Sequence, residues 1–361
     1  MTTNSIITTN LPIPPGEYLE EVIESLGMSK GELAKRMDRP PAKLSAIFSG
    51  EKAITPDTAL QLERATGVPA HVWTGLENEY RLAQAKQRAE EREAACETET
   101  PLVTRFCYAE LAKLGFVRKC TRAVEKVQEL QEFFGVMSLE KVMGMPRYQV
   151  THRHGRGTPE GRSPEAVAAW LRVGERTAMQ TDCPPYDADF LAERLKEVRS
   201  LTTEKADVFS GKLRNILKDV GVVLVYCPHF PKTKAHGATF FLGDEKAVLM
   251  LTARYRWADI FWFTLFHELG HILLHNPKDV ILEDSTKDAR ETEADEFACD
   301  TLIPPDEWET FIETEDFQSP HIKRFAKRVG IAPGIVVGRL QHEGWIGRGV
   351  GNGLREQYVI Q

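Results

Sequence analysis

Apolar side chains between about residues 15 and 95 recur at helical spacing, in short stretches that glycine and proline separate. The stretch PPGEYLEEVIESLG opens with prolines and glutamates and stops at Gly27, as helices do. The next stretch, SKGELAKRM, has Ser29 at its start and Glu32 three residues later, which is a capping box. In ITPDTALQLERATG, Thr55 is the predicted N-cap, Pro56 stands at the first helical position and Gly67 ends the helix. This pattern predicts a run of consecutive short helices.

Two of these predicted helices, SKGELAKRM and AKLSAIFSG, are joined by the tight turn DRPP. Such a pair, packed among other helices, is the helix-turn-helix arrangement. The apolar spacing from Leu33 and Ala34 to Leu44 and Ile47 resembles that of the lambda repressor and Cro type. More narrowly, residues 12 to 80 resemble the HigA-type antitoxin domain. The resemblance implies an all-α domain with a double-stranded DNA operator as its partner.

The next part of the chain keeps helical periodicity but changes in polarity. Residues 81 to 100 are densely charged and end before Pro101, which predicts a linker helix. Residues 101 to 204 contain several amphipathic stretches, of which AVEKVQELQEFFGVMSLEKVMG is the clearest, and are predicted to form a helical middle region. Residues 346 to 361 are expected to form a C-terminal tail.

The pattern changes again after residue 221. GVVLVYCP, HGATFFLG and KAVLMLT are short runs of β-branched, aromatic or other apolar residues bounded by turn residues, and they predict three strands of a small sheet. The almost wholly apolar helix FWFTLFHELGHILLH follows, and a second helix, ARETEADEFACDTLIPP, ends at Pro304. We therefore expect an α+β protein that is mostly helical.

Composition narrows the class of protein. The 361 residues carry a formal net charge of −7, which gives no general reason to expect nucleic-acid binding. The six cysteines are scattered without a C-x-x-C pair, as expected of a protein from a reducing cytosol. The N-terminus lacks the basic and apolar regions of a signal peptide, and the longest apolar run is too short to span a bilayer. We expect a cytoplasmic protein with no membrane partner.

Ionisable side chains interrupt the most apolar helix. His267, Glu268 and His271 form the pattern H-E-x-x-H. Residues four apart lie on the same helix face, so both imidazoles can bind one Zn²⁺ ion, and Glu268 is then placed to act as a general base. The alternative is an ordinary buried helix whose histidines bond to neighbouring backbone groups.

The second helix offers a third ligand. Glu291 and Asp295 share a helix face with the small and apolar residues Ala294 and Ala298, and buried carboxylates need a partner. Glu291 is the natural third ligand, which leaves a fourth position open as in catalytic zinc sites. Asp295 can accept a hydrogen bond from the free ring nitrogen of a ligand histidine. The alternative for Glu291 is a surface acid near a helix start.

The combined motif FHELGHILLH…RETEADEFACDTLIP resembles the ImmA/IrrE metallopeptidase family, over roughly residues 205 to 345. The resemblance implies a small zincin-like domain of the gluzincin type. It also implies that His267, His271 and Glu291 bind zinc and that Glu268 is the catalytic base. The substrate implied is a repressor- or antitoxin-like protein, cleaved in a stress-response, mobile-element or toxin–antitoxin context.

Three further side chains near the motif are weaker candidates. His236 and Tyr255 are candidates for binding an oxyanion or the substrate, if they face the cleft. His275 lies one turn beyond the motif, but the glycine turn that precedes a third histidine ligand in metzincins is absent. We expect a structural role for His275.

The first domain has a local surplus of basic residues around its predicted turn. Candidate DNA contacts are Lys30, Arg39, Lys43, Ser45 and Lys52. The predicted recognition helix nevertheless lacks the Gln, Asn or Arg side chains that usually contact base edges. The alternative is a module that serves dimerisation or binds an antitoxin-like partner.

Two hypotheses therefore remain. One is a zinc endopeptidase with a DNA-binding domain, whose partners are a protein substrate, operator DNA and a second copy in a homodimer. The other is an antitoxin-like transcriptional regulator whose metal site is structural or sensory. Glu268 favours the first, because a purely structural site does not need a base.

Overall fold

The computed structural model describes residues 13–153, 161–252, 257–275, 280–282 and 289–358, except for the side chains of residues 150–153 and 282. Within these ranges the chain forms two compact units that divide between Thr98 and Glu99. None of the described helices is both long enough and apolar enough to cross a membrane.

The first unit is entirely helical in its described part. Its helices are α1 (Pro15–Ser25), α2 (Lys30–Arg36), α3 (Pro41–Phe48), α4 (Pro56–Thr66) and α5 (Ala70–Thr98). The predicted caps are present: Ser29 Oγ accepts a hydrogen bond from the Glu32 amide at 3.1 Å, and Thr55 Oγ1 accepts one from the Thr58 amide. Gly67 ends α4 with a φ of 78°, a conformation that favours glycine. Local sequence signals thus determine where these helices begin and end.

The turn between α2 and α3 contains a residue in the left-handed region. Asp38 has a φ of 51°, which aspartate tolerates better than most side chains. Leu33, Ala34, Leu44 and Ile47, whose spacing predicted the helix pair, are all buried in the core of this unit. Helix α5 continues without a break from the end of the predicted helix-turn-helix domain through the predicted charged linker.

The second unit contains the remaining helices and the sheet. Its first helices are α6 (Leu102–Arg105), α7 (Tyr108–Leu114), α8 (Ala123–Phe134), α9 (Pro146–Arg153), α10 (Pro164–Gln180), α11 (Ala188–Ser200) and α12 (Ala206–Asp219). The strands are β1 (Val222–Tyr226), β2 (Gly237–Leu242), β3 (Lys246–Leu251) and the short β4 (Ile281–Leu282). The last helices are α13 (Ala258–Gly270), α14 (Ala289–Leu302), α15 (Pro305–Ile312), α16 (Ser319–Val329) and α17 (Pro333–His342).

In the described residues the sheet has the strand order β1-β3-β2-β4. Strand β1 runs parallel to β3, and β2 is antiparallel to both β3 and β4. The three predicted strands are confirmed, and β4 is an addition that the sequence pattern did not indicate. Helix α10 packs closely on the sheet, since a Cβ atom at Gly174 would lie 2.2 Å from Met250 Sδ. The mostly helical α+β class is therefore confirmed.

The C-terminal residues pack against the start of α13. Arg355 forms two hydrogen bonds with the Asp259 carboxylate, at 2.9 and 2.8 Å, and both side chains are largely buried. Trp262 Nε1 donates a hydrogen bond to the Tyr358 hydroxyl at 3.0 Å. These contacts hold the first turns of α13, the helix that carries H-E-x-x-H.

Candidate metal centre

Helix α13 and the turn after it place the two histidines of H-E-x-x-H side by side. His267 and His271 are almost fully buried, and their Nε2 atoms lie 2.9 Å apart. The histidines share a helix face because four residues make just over one α-helical turn. Glu268, between them in sequence, is also completely buried.

Glu291 enters this cluster from the first turn of α14. Its Oε2 atom lies 3.3 Å from His267 Nε2, and its Oε1 atom lies 3.5 Å from His271 Nε2. The candidate ligand atoms of the three residues all lie within 4.8 Å of one another. A tetrahedral zinc ion with bonds of about 2.0 to 2.2 Å would separate its ligand atoms by about 3.3 Å. The two imidazoles and the carboxylate therefore fit such an ion in both chemistry and spacing.

Asp295 lies one helical turn beyond Glu291. Its Oδ1 atom is 2.8 Å from His267 Nδ1. Because an ionised carboxylate can only accept, Nδ1 of His267 carries the proton, and its Nε2 presents a lone pair to the cluster. The expectation that Asp295 is buried was wrong: its side chain is 56% exposed, because it lies at the edge of the face on which Ala294 and Ala298 are buried.

The surroundings of the cluster set the charges of its members. Burial raises the pKa of the Glu291 carboxyl group, but the adjacent imidazoles of His267 and His271 outweigh burial and lower the pKa to about 2. Burial lowers the pKa of His271, as do the neighbouring His267 and His275, and the opposite effect of Glu291 does not offset this lowering. At neutral pH Glu291 is therefore an anion and His271 is a neutral imidazole. These are the forms that bind metal ions.

Comparison with known families gives one match in each of the two compact units. Residues 19–73 match the helix-turn-helix family, and residues 218–341 match the IrrE N-terminal-like domain of peptidase family M78. The chain belongs to the helix-turn-helix family and carries an IrrE N-terminal-like domain. The second match places His267, Glu268, His271 and Glu291 within a metallopeptidase-type domain.

Individual relatives match a fifth of the chain. The HTH-type transcriptional regulator YddM of Escherichia coli (strain K12) is 32% identical over 73 residues, which are 20% of this chain and 78% of that protein. Virulence-associated protein I of Dichelobacter nodosus is 38% identical over 76 residues, 21% of this chain and 70% of that protein. The structure of the Pseudomonas aeruginosa antitoxin HigA with the higBA promoter is 29% identical, covers 22% and 89% of the two chains, and has a TM-score of 0.22.

In the IrrE-like domain, β2 contacts the side chain of Glu268. A Cβ atom at Gly237, the first residue of β2, would lie 2.2 Å from Glu268 Oε1 and 2.7 Å from its carboxyl carbon. Only glycine leaves room for this approach, although its φ is not in the left-handed region. The H-E-x-x-H motif gave no sign of this requirement.

Gly237→Ala should therefore displace Glu268 without touching any of the three candidate ligands. We expect the variant to bind zinc as the wild type does. If the domain cleaves peptides, its rate should fall at least about tenfold, because small misplacements of catalytic groups are costly. Metal content and cleavage rate measure the two effects. Gly211→Ala, at an exposed position of α12 with open space around it, is the control and should change neither. An unchanged rate in Gly237→Ala would mean that the position of Glu268 is not important for the reaction.

A cavity of about 260 Å³ lies beside helix α13. Phe263 and Thr264, one turn before His267 and Glu268, line it together with His236, which precedes Gly237. Apolar side chains of α14 and α17, such as Leu302 and Ile335, form much of the rest. His236 is thus close to the cluster but faces a mostly apolar cavity. Tyr255, the other candidate for oxyanion or substrate binding, lies outside the described residues.

The five candidate DNA contacts lie on or near α2 and α3, and they differ in what surrounds them. Lys43, Ser45 and Lys52 are exposed. Lys30 forms an ion pair with Glu20 at 2.5 Å and lies over the Phe48 ring. Arg39 donates a hydrogen bond from Nε to Gln61 Oε1 at 2.6 Å. The first three side chains are thus directly available to a ligand, and the other two already bind within the unit.

Proposed function

We propose that the chain is a zinc-dependent endopeptidase with a DNA-binding domain, and that it cleaves a repressor- or antitoxin-like protein. The observation that supports the proposal is the convergence of His267, His271 and Glu291 beside the completely buried carboxylate of Glu268. A structural zinc site closes all four positions with protein ligands, whereas three ligands with a neighbouring base are typical of hydrolases.

His267, His271 and Glu291 would hold the zinc ion, which would supply a Lewis acid to polarise the scissile carbonyl and activate water. Glu268 accepts the proton of the attacking water and then donates it to the leaving amine. Asp295 holds His267 in the tautomer that presents its Nε2 lone pair, and Gly237 lets β2 lie against the Glu268 carboxylate. The buried side chains of α13 keep bulk water away from these groups.

The cavity beside α13 indicates which substrates the site would accept. It borders the turn that precedes His267 and Glu268 and is lined mainly by apolar side chains. We expect it to bind a large apolar side chain next to the cleaved bond. An extended substrate backbone could add to the sheet as a further strand. It cannot pair with β3, because β3 lies between β1 and β2. Strand β2 pairs with β4 only through Ala238 and Thr239 in the described residues.

Purified, zinc-loaded protein tests the proposal. We expect about one zinc ion per chain and cleavage of the repressor- or antitoxin-like product of a neighbouring gene at a single site. The regulator hypothesis draws support from the helix-turn-helix relatives, among which YddM is named a transcriptional regulator. A protein that binds zinc and represses its promoter but never cleaves this product would favour the regulator.

For the first domain we propose binding to operator DNA. The match to the helix-turn-helix family includes α2 and α3, the kind of helix pair that binds DNA in the major groove. Exposed Lys43 and Lys52 suit contact with phosphates. Homodimerisation on such a site remains a prediction of the sequence.

Replacing Lys30, Lys43 and Lys52 together by alanine should weaken DNA binding to all sequences alike. Each lost phosphate contact should lower the slope of log affinity against log salt by about one. The measurement is binding to promoter and unrelated duplexes at several salt concentrations. A triple alanine variant of Lys113, Lys119 and Lys141, exposed lysines of the second unit, is the matched control. Wild-type protein that shifts neither duplex at low salt would favour the scaffold alternative.

A further inference from the structure

His275 lies beside the candidate ligand cluster but is directed away from its centre. Its Nδ1 atom is 3.0 Å from Nδ1 of His271, on the side of that ring opposite the Nε2 atom near Glu291. The side chain of His275 is only 8% exposed. In this arrangement His275 is therefore not a fourth ligand. Its hydrogen bond with His271 indicates a different role.

The other ring nitrogen of His275 contacts a carboxylate. Nε2 of His275 lies 3.0 Å from Oε2 of Glu293, on the first turns of α14. Because the Glu293 carboxylate accepts, Nε2 of His275 must be the donor. In a neutral imidazole the remaining nitrogen is then an acceptor, so Nδ1 of His275 accepts the hydrogen bond from Nδ1 of His271. Nε2 of His271 is consequently left with a lone pair.

A local change in helix type brings these groups together. Residues His271–His275 form a π-helical turn that follows directly on α13. π-Helical turns appear mostly as single turns within α-helices, and they are frequent at functional sites. In this turn the rings of His271 and His275 lie 5.2 Å apart, and His275 reaches α14.

We propose that His275 is a positioning residue that, held by Glu293, orients His271 and selects the tautomer in which His271 binds the metal ion. The inference rests on the metal site of the proposed function. His275 and Glu293 do for His271 what Asp295 does for His267 directly. Asp295 of α14 thus holds His267 at its Nδ1 atom. His275, which contacts Glu293 of α14, holds His271 at its Nδ1 atom.

Substitutions of His275 separate hydrogen bonding from packing. His275→Phe keeps a ring beside His271 but removes both ring nitrogens. His275→Gln offers a carbonyl oxygen to His271 and an amide donor to Glu293. We expect zinc affinity to fall about 10- to 100-fold in His275→Phe, as is usual when a residue that supports a metal ligand is lost, and to recover largely in His275→Gln.

Glu293 offers a test that does not disturb the protein interior, because its side chain is 57% exposed. Glu293→Ala should weaken zinc binding in the same direction as His275→Phe. Glu296→Ala, an exposed carboxylate on the same helix, is the matched control and should bind zinc like the wild type. Chelator competition gives the affinities, and the visible spectrum of the Co²⁺-substituted full-length protein reports ligand geometry, which a merely structural role would leave unchanged.

The outcomes distinguish this inference from the metal site itself. If His275→Phe or Glu293→Ala binds zinc like the wild type with an unaltered Co²⁺ spectrum, the positioning role is wrong. If His275→Gln is as impaired as His275→Phe, packing explains the effect and the role is again wrong. If the wild type itself binds neither Zn²⁺ nor Co²⁺, the proposed function fails first.

Discussion

Replacing Glu268 by glutamine should abolish cleavage of the target protein while the variant still binds both target and zinc. Glutamine keeps the shape of the side chain and the H-E-x-x-H helix, and none of the three candidate ligands changes. It removes the carboxylate that we propose as the acceptor of the proton of the attacking water, and one general base contributes about 10² to 10⁴ in rate. The measurement is the rate of cleavage of the purified target, with zinc content determined on the same samples.

Glu296→Gln, the same substitution at an exposed position of α14, is the control and should cleave at the wild-type rate. The Glu268→Gln variant also separates the two functions considered for this chain. A regulator with a structural or sensory metal site would repress its promoter equally well with glutamate or glutamine at this position, and a reporter assay in cells measures that repression. Equal cleavage by Glu268→Gln and wild type would exclude Glu268 as the base.

Much of the candidate centre could be predicted because its geometry is local. Residues four apart on one helix share a face in any context, so the convergence of His267 and His271 follows from sequence spacing alone. The burial of Ala294 and Ala298 follows in the same way from the periodicity of α14. The proximity of Glu291 is different, because no local rule brings two helices together. It was predicted from the cost of burying a carboxylate and from the family resemblance.

Asp295 could be predicted as a supporting group, and it does contact His267. The supporting roles of His275 and Glu293 could not be predicted, because they depend on departures from regular geometry. Residues four apart in an α-helix are rotated by about 40°, and the π-helical turn at His271–His275 changes that rotation. The pairing of His275 with Glu293 appears only once this turn and α14 are both in place. Helical periodicity also fails to predict side-chain exposure. Asp295, expected on the buried face, is exposed and still contacts His267.

Long-range contacts were also beyond the sequence pattern. Arg355 binds Asp259 across 96 residues of sequence, and the segment that carries Arg355 was expected to be a tail. The close approach of Gly237 in β2 to Glu268 in α13 is likewise a contact between residues distant in sequence. Periodicity describes which face of an element is apolar, but it does not say which element covers that face. The first unit was predicted more completely because its caps and turns are formed by residues close in sequence.

Replacing Glu291 by alanine should remove most of the zinc from the protein. The substitution deletes one of three ligands and the only anion among them, so the loss of affinity should exceed the roughly 10- to 100-fold typical of a residue that merely supports a ligand. The fold should survive without metal, because the side chain of Glu291 lies on the first turn of α14 and is partly exposed. Metal analysis after dialysis measures zinc content, and circular dichroism verifies the helices.

Thermal unfolding gives a second, independent measurement of the same loss. A ligand that binds only the folded chain stabilises it by about 2.7 kcal/mol when its concentration is 100 times Kd. Wild-type protein should therefore melt at a higher temperature when zinc is added, and Glu291→Ala should show little or no such shift. Glu296→Ala should respond like the wild type, because its side chain is exposed on the same helix. Undiminished zinc in Glu291→Ala would assign the third ligand to a residue other than Glu291.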